Sequence, residues 1–496
     1  MSRLPALAAL CLVAVSASAE IRYQVGYDAA KDRLNLSLSL RPKGVQTTLQ
    51  MPSWSPGLYV REDYWKSLDD VSAVDESGQP LTVEHPRGDT WTVSNGKAKS
   101  VTVRYTRPVN RTNDRLGMFS ASGSAVHYTG PSVYLYVADR KQEPCTLSFD
   151  LVPQTKVAIG LVKKKDAYVA RGYDDLADAT VTFGDFLQTS YTVRGKLHEL
   201  IFRGPAAATL DREKVTRIAQ FISQAETDFF RNAPYPKYVW HIMAVPIGDN
   251  AGGVEHLNGT DIFVGTNPGP HALHGMAHEF FHLYNVKRIR EQVLGPFDYT
   301  QLPKAGALWW LEGVTDYYAS LIPARAGAWD QATFLQQASQ NLAAVRGNAA
   351  RLEVSPFESG DRTPESTSNS SGYRVNYYPT GWVLGMLLDV ELRARTQGKH
   401  SLDDVEHALW DLCRDNKPGF GPDEIRKQLV RFGGAEMGPI YDTWVMKPGE
   451  LPVEATLAQV GLAVRGGKVV VDEGATPEQQ KLRESWLVRR GVPFGF

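Results

Sequence analysis

Two histidines stand four residues apart in HEFFHLYN (278–285), and a glutamate follows the first of them. On a helix, His278 and His282 project from one face about one turn apart, with Glu279 beside them. Two neutral imidazoles and one carboxylate are a donor set suited to zinc, leaving a fourth position open for water. Glu279 points toward that position, where a general base can take a proton from water and pass it to a leaving amine. The competing reading is a core helix with two hydrogen-bonded histidines, so the rest of the chain must decide.

WWLEGVTDYY (309–318) supplies a candidate third ligand. Glu312 sits among two tryptophans and two tyrosines, where a carboxylate wants a cation. Asp316, four residues on and on the same face, suits a carboxylate that orients one ligand imidazole through its outer N–H. An ordinary solvated Glu/Asp face fits poorly with four aromatic neighbours.

The elements that must hold these groups are legible in outline. RLNLSLSLR (33–41), SVTVRYTR (100–107), SVYLYVAD (132–139) and CTLSFDLV (145–152) alternate with period two and are separated by turn residues, which predicts a β-sandwich. DREKVTRIAQFISQAETDFFRN (211–232) has helical spacing, and YVWHIMAVPI (238–247) and TDIFVGT (260–266) read as strands around a Gly-rich segment. Pro268 and Pro270 punctuate the start of the histidine helix, and Gly327 ends a second helix over 307–327. Helices dominate from about 328 to 444, interrupted by the polar loop 358–372, and the tail is short and mixed.

At 496 residues the chain is too long for one ordinary core. A formal net charge of −1 offers nothing to a polyanion such as nucleic acid. The first residues, MSRLPALAALCLVAVSASAE, combine one early cation, a short apolar run and a small-x-small site at Ala17-Ser18-Ala19. That predicts a cleaved signal peptide rather than a membrane anchor, and no later segment is long and apolar enough to span a bilayer. Cys145 and Cys413 fall in different expected domains and are expected to be free, buried thiols.

HEFFH followed by NVKRIR, LGPFDYT (294–300) and LEGVTDYY resembles the glycyl aminopeptidase family of zinc metallopeptidases, within the gluzincin group. MPSWSPGLYVRE (51–62), GGVEH (252–256) and NYYPTGWVLGMLLDVELR (376–393) extend the resemblance over roughly residues 20 to 450. It implies a thermolysin-like catalytic domain and one Zn2+ per chain on His278, His282 and Glu312. It also implies a substrate-binding edge strand with Gly252, Gly253 and Glu255, the last taking the protonated α-amine. His256 stands where aminopeptidases of this kind have Asn, and its role is open. Tyr378 sits where related enzymes carry an oxyanion-stabilising tyrosine, with Tyr377 as the adjacent alternative and Thr380 replacing their Lys. The family usually carries a C-terminal PDZ domain; ATLAQVGLAV (455–464) resembles the approach to one, so the tail reads as a remnant or cap.

The expectation is a multidomain α+β protein. It comprises a signal peptide (1–19), an N-terminal β-sandwich (20–192), the thermolysin-like zinc catalytic domain (193–327), a C-terminal α-helical domain (328–454) and a short tail (455–496). The function expected is aminopeptidase action on peptides with N-terminal glycine or small residues, in a bacterial periplasm. An endopeptidase on the same scaffold and a non-catalytic peptide-binding protein are the alternatives. Sequence leaves the oligomeric state open.

Overall fold

The computed structural model describes residues 21–109, 119–366, 372–415 and 417–487. The expected signal peptide, 1–19, lies outside the described residues, as does the end of the tail, 488–496.

Alternation builds the N-terminal domain. In Ile21–Asp28 and Arg33–Leu40 apolar side chains point inward at every second position, as a sheet with one solvated face requires. These strands pair antiparallel at the middle of an eight-stranded sheet. Two four-stranded sheets share its core through residues such as Leu49, Trp91, Val126 and Phe183.

The domain limit expected at 192 falls inside a strand of the next sheet. Leu187–Val193 pairs with Lys196–Arg203, so the β-rich domain ends after the strand Val181–Gly184. Both segments alternate, and alternation does not say which sheet a strand joins. The second sheet runs Leu187–Val193, Lys196–Arg203, Lys237–Val245, Gly259–Gly265, Ala251–His256. The Gly-rich segment is therefore an edge strand, antiparallel to its one neighbour.

The histidine helix, Pro270–Phe281, starts with proline at its first turn, where the missing N–H costs nothing. Gly275 lets it rest directly on the edge strand: a Cβ there would come within 2.4 Å of the Ala251 carbonyl oxygen. A turn of π-helix, Trp309–Val314, leads into the helix Thr315–Ala326, which ends at Gly327 with φ 86°. The helix Tyr377–Thr396 crosses this turn at backbone contact, because a Cβ on Gly313 would lie 2.4 Å from Gly381 Cα and from the Tyr377 carbonyl oxygen. Helices continue through Gln331–Gly347, Leu402–Cys413, Glu424–Gly433 and Met437–Trp444.

The tail is packed rather than loose. It forms a two-stranded hairpin, Leu462–Arg465 with Lys468–Val471, and a helix Pro477–Leu487. Trp486 is fully buried against Phe334, and its indole N–H donates to the Tyr317 hydroxyl at 2.8 Å. Cys145 and Cys413 are both free and buried. Among the described residues no helix is long and apolar enough to cross a membrane.

Candidate active site

The helix puts His278 and His282 on one face, and their Nε2 atoms face each other at 2.9 Å. Outer groups fix both rings. His282 Nδ1 donates to the Asn285 carbonyl oxygen at 2.8 Å, and Asp316 Oδ1 lies 3.2 Å from His278 Nδ1. The π-turn brings Glu312 over the same point, its Oε2 3.2 Å from His282 Nε2 and 3.7 Å from His278 Nε2. These three groups can hold a metal ion. Burial pushes the His278 imidazole toward neutrality, yet Asp316 and Glu312 outweigh it and hold its pKa well above the ordinary value. His282 shifts the same way beside Glu312. Two imidazole nitrogens and a carboxylate oxygen facing one another in a buried pocket that favours positive charge fit a zinc ion.

Glu279 is held between this cluster and the edge strand. The Gly253 N–H donates to its Oε1 at 2.9 Å, while Oε2 is buried without a partner. Burial raises its pKa to about 7, against the pull of both imidazoles. A carboxylate with one oxygen anchored and one bare, near neutrality, is equipped to accept a proton and release it.

Glu255 follows on the edge strand, opposite Thr260 in register and only 4% exposed. Gly253 has no side chain because its neighbour strand needs the space: a Cβ would sit 1.9 Å from the Asp261 carbonyl oxygen. Gly252 is freer, meeting only the Phe263 ring at 3.2 Å. The strand's glycines therefore serve packing at 253 and leave open backbone at 252.

Tyr378 and Tyr377 begin their helix, with the Asn376 side chain capping the Tyr378 N–H at 3.1 Å. Tyr378 is half-buried and its ring centroid lies 5.9 Å from that of His278. Tyr377 is buried and turned toward Tyr373, at 4.8 Å. Of the two, Tyr378 neighbours the histidines.

Sequence reasoning missed several neighbours. His274 Nε2 lies 3.4 Å from the same Asp316 oxygen that faces His278, with its ring stacked on Trp329. The loop 51–62 of the N-terminal domain reaches the site: a Cβ on Gly57, whose φ is +94°, would meet Glu255 Oε2 at 2.8 Å. Lys287 Nζ stands 4.0 Å from Glu255 Oε1. The Pro-Gly pair in SPGLY (55–59) is a sequence signal for a turn, but nothing in sequence ties that turn to residue 255. His256 points away from the cluster, toward Asp178 and Asp261.

Fold and site together define a metallopeptidase. The sequence matches the Peptidase M61 N-terminal domain over residues 22–185 and M61 glycyl aminopeptidase over residues 271–384. The chain belongs to the M61 glycyl aminopeptidase family. Its structure is similar to an aminopeptidase N family protein from Idiomarina loihiensis, with TM-score 0.80 and 22% identity, over 90% of this chain and 79% of that one. It is also similar to an M1 zinc metallopeptidase from Deinococcus radiodurans, with TM-score 0.53 and 14% identity, over 87% of this chain and 94% of that one. A mutant of the Deinococcus protein bound to a Tyr-Ser-Ala substrate matches at TM-score 0.53 and 13% identity, with the same coverage, 87% and 94%. At these identities the likeness shows a shared fold. No curated relative matches the sequence.

Proposed function

We propose that this protein is a zinc-dependent aminopeptidase that removes N-terminal glycine or other small residues from peptides in a bacterial periplasm. The observation that carries the reading is the meeting of His278 Nε2, His282 Nε2 and Glu312 Oε2 beside the bare oxygen of Glu279.

His278, His282 and Glu312 would hold one catalytic zinc, which supplies Lewis-acid polarisation of a carbonyl and a more acidic water. Glu279 Oε2 takes a proton from the attacking water and returns it to the departing amine. The Tyr378 phenol donates to the carbonyl oxygen as negative charge gathers there. Asp316 and the Asn285 carbonyl hold the outer nitrogens of the two imidazoles, keeping the inner ones aimed at the centre.

Exopeptidase action follows from Glu255. Its carboxylate would accept hydrogen bonds from the α-ammonium group, and the Gly57 turn packs against it, a Cβ there falling 2.8 Å from Glu255 Oε2. The preference for a small first residue rests on the family, M61 glycyl aminopeptidase. The location rests on the signal-type segment 1–19.

Cleavage of Gly-Xaa peptides with free and acetylated N-termini tests the reading. Loss of cleavage on acetylation is expected; equal rates would turn the assignment to an endopeptidase.

A further inference from the structure

A second cluster lies at the seam between the β-rich domain and the catalytic sheet. His127 comes from the strand Ala125–Tyr128 of the first, while His241 and Asp261 are lateral neighbours on adjacent strands of the second. Their donor atoms all lie within 4.8 Å of one another, and all three side chains are buried. The Thr182 hydroxyl holds both rings, at 2.8 Å from His127 Nδ1 and 2.7 Å from His241 Nδ1.

The feature that needs explaining is the His127–Asp261 contact. His127 Nε2 is 2.9 Å from Asp261 Oδ1, and neither atom has a well-aligned hydrogen-bond partner. A buried imidazole nitrogen and a carboxylate oxygen held this close without an aligned hydrogen bond are placed to donate lone pairs to a shared cation. We propose that His127, His241 and Asp261 form a second, structural metal site for a divalent transition ion such as zinc, clamping the N-terminal domain to the catalytic sheet.

The donor chemistry selects the ion. Two imidazole nitrogens and one carboxylate suit zinc, whereas calcium and magnesium take oxygen ligands. Arg203 and His256 stand nearby and add positive charge, so affinity has to come from nitrogen ligation rather than from net negative charge. Thr180 and His256 contact the other Asp261 oxygen, each at 3.4 Å, and orient it. A cavity of about 410 Å³, lined in part by Asp178, Thr180, His241 and His256, gives an ion a route to the seam.

The site would tie together what the peptidase reading needs held together. Asp261 pairs in register with Val254, the residue before Glu255. The inference stands on the seam residues alone and survives if the catalytic reading fails.

The alternative is a metal-free relay in which Thr182 passes a hydrogen bond between the two rings. Counting metal separates them. The full-length protein is stripped with a chelator, titrated with zinc, dialysed and assayed for bound metal. About two equivalents per chain are expected for the native sequence, and about one for His278→Ala, which damages only the catalytic cluster. Adding His241→Ala to that variant should remove the remaining equivalent. One equivalent in the native protein and none in His278→Ala overturns the proposal. Because His278→Ala leaves the seam intact, it decides the matter even if His241→Ala fails to fold.

Discussion

Among the described residues, two clusters present two histidines and a carboxylate to a common point, and they differ in everything around that donor set. At His278, His282 and Glu312 the neighbours are a carboxylate with one bare oxygen, a half-buried tyrosine and an edge strand with open backbone. At His127, His241 and Asp261 they are a threonine hydroxyl and a third histidine, buried between two sheets. Ligands alone therefore do not make an active site. A base with a free lone pair and an approach for substrate do.

The largest test of that contrast is Glu279→Gln. The amide keeps the shape but cannot accept the proton, so kcat should fall about a thousandfold while zinc content is unchanged. Peptidase assay with elemental analysis checks both; near-normal turnover would erase the proposed distinction between the clusters. Next in size is Asp316→Asn, which weakens the acceptor facing His278 Nδ1. Zinc should bind the catalytic cluster about 10–100-fold more weakly, with seam occupancy unchanged, as read by competition with a chelator.

The contrast also explains what could be read in advance. His278, Glu279 and His282 share one helix turn, and Glu312 and Asp316 share another, so spacing alone groups them. The seam cluster takes one residue from each of three strands in two sheets, 127, 241 and 261, and no local period links them. Glu255 and Tyr378 were found through resemblance, because a lone Glu in a Gly-rich strand has no local signature. The β-rich and helical halves were legible because period two and period 3.6 are local properties. The limit between Val181–Gly184 and Leu187–Val193 was not, since these two strands belong to different sheets. Gly313 and Gly381 passed unnoticed for the same reason: each matters only because the other is opposite it.

Those two glycines allow a structural test of the catalytic side. Gly313→Ala puts a methyl 2.4 Å from Gly381 Cα, so the two helices must separate. Overpacking of this kind costs about 1–3 kcal/mol. Because Glu312 and Tyr378 ride on the separated elements, activity should fall along with thermal stability. A stability loss with full activity would show that the relative placement of these two residues is not what sets the rate.

The smallest expected effect on turnover belongs to the seam. Thr182→Val removes the hydroxyl shared by His127 Nδ1 and His241 Nδ1 while keeping the side chain's shape. Both Nδ1 atoms are left buried without that partner, a loss of about 2–3 kcal/mol that should lower the melting temperature measurably. Turnover should stay near the native value, because no atom of the seam reaches the proposed reacting groups directly. Asp261 nonetheless lies beside Val254, one residue from Glu255, so the separation of the two clusters is a matter of rigidity as much as distance. If Thr182→Val raised KM for free-amine peptides several-fold at unchanged kcat, the edge strand would be shown to transmit seam disorder to Glu255. The two clusters would then be one mechanical unit, with the structural one setting how firmly the amine is held.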